Sequence, residues 1–274
     1  MTRLEQCQEL AFDITAGSRR LRAKSISTGD RELANSPAAL VFLHEGLGSI
    51  TQWRDFPAAL VRATGLPALV YDRYGYGQSD RQLKPPNDLY LEEEAQLRLP
   101  AVLEACGIDA PILIGHSDGA TIALLFAALY PNVPLAVVSE AAHVYIEKLS
   151  IQGIWKTVQD FNSTHLRDRL ERHHGDKVDS MFHGWSDVWL SPEHHDWSML
   201  ERLAAITCPV LAIQGEDDEY GTPAQLRAIT RRVSGPTRTL LLPSCGHAPH
   251  HQARERILDE IQGFIRDLAL PHSR

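Results

Sequence analysis

The chain has 274 residues, is 43% hydrophobic and carries a formal net charge of −8 at pH 7. That is enough apolar material for one large domain or two small ones. Lys and Arg form no block, which argues against nucleic acid and anionic membrane surfaces and leaves a small molecule as the expected partner.

The opening residues, Met1 to Gln6, contain no apolar stretch of signal-peptide shape. Residues 8–13 and 19–27 alternate weakly, which predicts two antiparallel strands at a sheet edge. Asp30 to Pro37 reads as a polar connection. Short apolar runs then recur at Ala39–Leu43, Leu66–Tyr71, Pro111–Ile114, Pro134–Ser139, Val210–Gln214 and Thr239–Pro243. Longer helix-compatible stretches separate them. This alternation predicts an α/β fold whose mostly parallel, eight-stranded sheet is covered by helices on both faces. In such sheets ligands sit beyond the carboxyl ends of the strands. Pro100 lies inside a helical stretch from Leu89 to Ala105, so a fresh helix start or a kink is expected there.

Residues 141–205 break the alternation. They hold four of the five tryptophans (Trp155, Trp185, Trp189, Trp197) and seven of the thirteen histidines. An insertion this long exceeds a plain crossover and is expected to form a helical cap over the site. Residues 1–140 and 206–274 would then form the core domain.

Gly115-His116-Ser117-Asp118-Gly119 reads G-x-S-x-G, with an apolar strand-like run before it and an apolar helix-like run after it. That context is the nucleophile elbow, a sharp turn that lifts a serine clear of the sheet. A serine needs a base to take its proton, and the base needs an orienting carboxylate. Gly215-Glu216-Asp217-Asp218 follows one later strand and Gly246-His247 follows the next. The order serine, acid, histidine fits an elbow-type hydrolase. Glu216, Asp217, Asp218 and Glu140 all remain open as the acid. His247 is the expected base, with His250 and His251 as rivals.

With these residues in view, the chain resembles the α/β-hydrolase fold superfamily over nearly its whole length. The matching pieces are His44-Glu45-Gly46-Leu47-Gly48, Asp72-Arg73-Tyr74-Gly75-Tyr76-Gly77-Gln78-Ser79, the elbow, Gly215-Glu216-Asp217-Asp218 and Gly246-His247-Ala248-Pro249. The resemblance implies a catalytic triad of Ser117, Asp218 and His247. It also implies an oxyanion hole with one donor at Asp118 and a second at Leu47 or Gly46, Leu47 being slightly favoured. Glu45 stands between His44 and Gly46, where the family pattern has none. It would either bind or repel charge on a substrate or pair with Arg73 or Arg54. His143, at the start of the cap, and the cap residues Trp155 and Trp185 are candidates for the substrate pocket. His44 and His116 are expected to brace loops, and Cys245 to pack as a small side chain. The pairs His173-His174 and His194-His195 lack metal-ligand spacing and are expected on the solvated cap surface.

The reaction implied is hydrolysis of a small apolar or aromatic carboxylic ester or thioester through an acyl-enzyme. The alternatives are C–C bond hydrolysis of ring-fission products and a non-catalytic small-molecule receptor. No cofactor and no metal are implied. Four scattered cysteines without a C-x-x-C, and no run of 18 apolar residues, predict a cytoplasmic protein with reduced thiols and no membrane span.

Overall fold

A computed structural model describes residues 7–28, 33 and 36–270. The N-terminal six residues and most of the expected connection at 30–37 lie outside the described residues. Eight strands form one sheet: β1 (Gln8–Ala16), β2 (Arg19–Ser27), β3 (Ala39–Leu43), β4 (Ala68–Tyr71), β5 (Pro111–His116), β6 (Ala136–Glu140), β7 (Val210–Gly215) and β8 (Thr237–Leu242). Their order is β1-β2-β4-β3-β5-β6-β7-β8. β1 pairs antiparallel with β2, and β2 with β4. All other pairings are parallel.

Alternation along each strand decides which helices it meets. Leu40, Phe42, Val70 and Ile114 face one side, where helix α1 (Phe56–Thr64) and the helix Arg254–Arg266 cover them with Phe56, Leu60, Ile257 and Ile261. Val41, Leu43 and Leu113 face the other side, under α3 (Leu99–Ala105), α4 (Asp118–Leu129) and α8 (Pro223–Arg232). Double coverage explains the continuous apolar runs, for β3 to β7 are buried at every position.

Pro100 produces a third outcome, neither a separate start nor a simple kink. Helix α2 (Tyr90–Glu93) passes through a π-helical stretch, Glu94–Arg98, into α3, and Pro100 falls in the first turn of α3. A proline has no N–H to donate and its ring clashes with the turn before it. The widened π turn absorbs that misfit.

Between β6 and β7 the chain forms α5 (Lys148–Ser163), α6 (Leu166–His174) and α7 (Val178–Leu190) with short 3-10 turns. This helical insertion is tied down by polar contacts. His174 accepts the Gly77 N–H at Nδ1 (3.0 Å) and donates from Nε2 to the Leu47 carbonyl (3.0 Å). The Glu147 carboxylate accepts from Thr222 and Gln225. His174 and His194 are therefore buried, contrary to the expectation of a solvated surface. His174 fills the seam between α6 and the core, and His194 lies between the rings of Trp189 and Trp197. His195 is exposed and His173 half-buried.

Candidate active site

Ser117 sits between β5 and α4 at φ 54°, ψ −119°, outside the ordinary range for a non-glycine residue. Such strain costs on the order of 1–3 kcal/mol and tends to persist at functional sites. The flanking glycines permit the turn. A Cβ on Gly119 would run into the Leu43 carbonyl, and one on Gly115 into the backbone at Gly119 and Ala120. Helix α4 therefore starts pressed against β3, with Ser117 at its mouth.

The loops after β7 and β8 bring Asp218 and His247 to this serine. His247 Nε2 lies 2.9 Å from Ser117 Oγ, and Nδ1 lies 2.8 Å from Asp218 Oδ1. Asp218 is buried and well satisfied, accepting the Tyr220 N–H at 2.9 Å and an N–H from the Gln214 amide. Burial works against the Asp218 carboxylate, but His247 and the Tyr220 N–H outweigh it and hold its pKa low. Burial also pulls the His247 imidazole down. Its pKa nevertheless ends above the ordinary value, because Asp218 favours the imidazolium by charge and hydrogen bond. The arrangement can receive the Ser117 proton and stabilise the resulting cation.

The rival groups are engaged elsewhere. Glu140, fully buried at the end of β6, accepts from His250 Nδ1 at 2.9 Å. His251 Nε2 meets the Gln52 carbonyl. Glu216 and Asp217 are exposed. His116 donates from Nε2 to the His247 carbonyl (2.7 Å), and His44 links the Glu45 carbonyl to the Arg73 N–H. Both brace loops, as expected from the sequence. Cys245 is buried, and all four cysteines are free.

Opposite His247 lies the loop after β3. Here the hydrogen bonding favours Gly46 over Leu47 as the loop's free donor. The Leu47 N–H is taken by Glu45 Oε2 at 3.1 Å, whereas the N–H groups of Gly46 and Asp118 meet no protein acceptor among the described residues. Glu45 also pairs with neither predicted arginine: Arg73 donates to its backbone carbonyl, and no ion pair joins it to Arg54 among the described residues. Burial raises the Glu45 carboxyl, with the Leu47 N–H opposing. The Asp118 side chain points away from Ser117 chemistry. Its Oδ2 accepts from Tyr90 Oη (2.7 Å), which accepts in turn from Trp189 Nε1 (2.7 Å), with Arg73 3.8 Å away.

A cavity of about 50 Å³ covers Ser117, with Gly46, Ile154, Trp185, Trp189 and Tyr220 in its wall. Trp185 packs directly on Gly46, where any Cβ would strike the indole. His143 also lines it. Its Nε2 donates to the Tyr220 carbonyl, and its Nδ1 is buried without a partner among the described residues. Trp155 does not belong: it is 55% exposed, because the outer face of α5 points to solvent. Sequence reasoning missed Tyr90, Ile154, Trp189, Gln214 and Tyr220 as site residues. Gln214 and Tyr220 flank Asp218 closely, so proximity to the acid was a usable signal. Nothing local marks Tyr90.

A family model described as "alpha/beta hydrolase fold" matches residues 38–197. The chain belongs to the α/β-hydrolase fold family. Among its relatives is a proline iminopeptidase of Saccharolobus solfataricus, 24% identical, aligned over 93% of each chain. A bifunctional esterase/perhydrolase of Acinetobacter calcoaceticus is 25% identical over 66% of this chain and 75% of its own. Among solved structures, the 2-hydroxy-6-oxo-6-phenylhexa-2,4-dienoate hydrolase of Rhodococcus sp. strain RHA1 has the same fold. Its TM-score is 0.76 at 14% identity, covering 95% of this chain and 99% of that one. The relatives are hydrolases of different bonds, so family membership places this α/β hydrolase without naming its substrate. No helix among the described residues is long and apolar enough to cross a membrane.

Proposed function

We propose that this α/β hydrolase is a serine hydrolase that cleaves a carboxylic ester or thioester with a short acyl group. The observation that carries the reading is the unbroken relay Ser117–His247–Asp218, with links of 2.9 and 2.8 Å. Ser117 Oγ attacks the carbonyl while His247 takes its proton. The oxyanion is received by the N–H groups of Gly46 and Asp118. His247 then returns the proton to the leaving group. Water, activated by the same histidine, releases the acyl group. Each oxyanion donor typically contributes about 3 kcal/mol.

The acyl size follows from the cavity. About 50 Å³ is far below the roughly 300–1,000 Å³ of a pocket that holds a drug-sized ligand. Trp185, Trp189 and Ile154 make its wall apolar, and the helical insertion acts as the cap that excludes bulk solvent.

The test is steady-state hydrolysis of a chain-length series of 4-nitrophenyl esters and acyl thioesters, with Ser117→Ala alongside. The expected result is fastest turnover with the shortest acyl groups and a loss of about 10⁴-fold or more in the variant. A variant that retains near-normal rates would end this reading. Turnover of a vinylogous diketone in place of every ester would transfer the same relay to C–C cleavage.

A further inference from the structure

A second, larger cavity of about 320 Å³ opens beside the first, and Glu45 lines both. It lies on the His247 side of the site. Its wall includes Ala248 and His250, just beyond His247 in the chain, and His116, which holds the His247 carbonyl. The acyl cavity is too small for a whole ester, so the rest of the substrate needs this space. During acylation His247 must hand its proton to the leaving group, which places that group on the same side.

Two exposed arginines, Arg54 and Arg169, line this cavity. Among the described residues neither makes an ion pair. The carboxylates next to them in sequence are engaged elsewhere, Asp55 with Arg254 (2.7 Å) and Asp168 with His165 (3.4 Å). Arg54 is also held at φ 54°, ψ −127°, a backbone conformation that is unfavourable for any residue but glycine. His250 and His251 behind them are kept neutral, because burial lowers their pKa to about 3 and about 4. His173 adds a ring whose Nδ1 is bonded to Thr51. Among the described residues the one carboxylate in the wall is Glu45, which also lines the acyl cavity.

Resting on the serine-hydrolase reading, we infer that the larger cavity binds the leaving group of the substrate, and that this alcohol or thiol carries an anionic group, carboxylate or phosphate, held by Arg54 and Arg169. Each guanidinium offers the planar fork that pairs bidentately with either anion.

The experiment compares matched acetyl substrates. One set is 4-nitrophenyl acetate, 3-carboxy-4-nitrophenyl acetate and, with the anion on the acyl side, 4-nitrophenyl hemisuccinate. The other is S-acetylpantetheine and its 4′-phosphate. Rates are taken relative to hydroxide-catalysed hydrolysis of each compound. Wild type is expected to favour an anionic leaving group by about tenfold or more in kcat/KM, mainly through KM. Which pair shows the preference names the anion. In the double variant Arg54→Gln/Arg169→Gln the ratio is expected to fall towards one, with Lys at both positions restoring part of it. Labelling of Ser117 by a fluorophosphonate confirms that the variant is folded. Ser117-dependent turnover with no such preference, a preference for the hemisuccinate, or a preference that survives the double variant overturns the inference alone. Absence of any Ser117-dependent turnover overturns the hydrolase reading and the inference with it.

Discussion

Replacing Tyr90 by Phe isolates the link between the helical insertion and the elbow. Tyr90 is buried, donates to Asp118 Oδ2 and accepts from Trp189 Nε1, each at 2.7 Å. Phenylalanine fills almost the same volume, so the apolar packing of Tyr90 survives. Two hydrogen bonds are lost. The bond to Asp118 is charge-assisted, about 1.5–3 kcal/mol, and the bond from Trp189 is neutral, about 0.5–1.5 kcal/mol. Arg73, 3.8 Å from Asp118, remains to offset part of the first. The expected destabilisation is about 3 kcal/mol, which for a chain of this size lowers Tm by about 6–9 °C. The assay is thermal unfolding by circular dichroism, together with Trp189→Phe and the double variant. Because both changes break one shared bond, the double variant is expected to fall short of additivity by about 1 kcal/mol. A Tm within a degree or two of wild type, or simple additivity, would refute the claim that this chain of bonds holds the insertion to the core.

Asp218→Asn is expected to lower kcat by about 10³–10⁴-fold, because the imidazole loses the acceptor that fixes its tautomer. Glu140→Gln is expected to stay within about tenfold of wild type, since it touches His250 and not His247. Only neutral His247 accepts a proton, so kcat/KM is expected to rise with pH through an apparent pKa above the ordinary histidine value of about 6.5. In Asp218→Asn that limb moves to lower pH, because the largest influence raising it is gone. For Glu45, Gln retains an acceptor for the Leu47 N–H and removes a charge beside the oxyanion. Glu45→Gln should therefore hold or raise kcat, while Glu45→Ala frees the loop and lowers kcat by about tenfold; equal effects would contradict the contact. Trp155→Ala should leave KM for short esters unchanged, as its side chain faces solvent.

The parallel sheet was legible because burial on both faces leaves unbroken apolar runs, and the ends of those runs carried the site. Ser117, Asp218 and His247 announce themselves through short-range chemistry: glycines that permit a turn, and polar residues directly after a strand. What stayed hidden depends on contacts between distant segments. Whether Leu47 or Gly46 offers a free N–H turns on where the Glu45 carboxylate folds back, which the motif does not encode. Which tryptophans line the cavity turns on helix phase in the insertion. Trp185 and Trp155 look alike in sequence, yet one packs on Gly46 and the other is exposed. Tyr90 joins Asp118 and Trp189 across separations of 28 and 99 residues, beyond the reach of any local pattern.

Two histidine–carboxylate pairs stand side by side. Both use Nδ1, at 2.8 Å to Asp218 and 2.9 Å to Glu140, and both lie at the carboxyl end of the sheet. Their surroundings make them different objects. Asp218 receives an N–H from Tyr220 and another from Gln214, so it stays ionised and lifts the imidazole it holds. Glu140 has one oxygen buried without a partner among the described residues, and burial raises its pKa to about 7. Its histidine sits between the rings of Trp53 and Phe56, where burial lowers the imidazole to about 3. A general base must be able to hold a proton transiently near neutral pH. His247 can; His250 instead acts as a neutral strut beneath the loop that carries His247. The difference between the two imidazoles thus rests on how many donors each carboxylate was given and on what encloses each ring, not on the spacing of histidines along the chain.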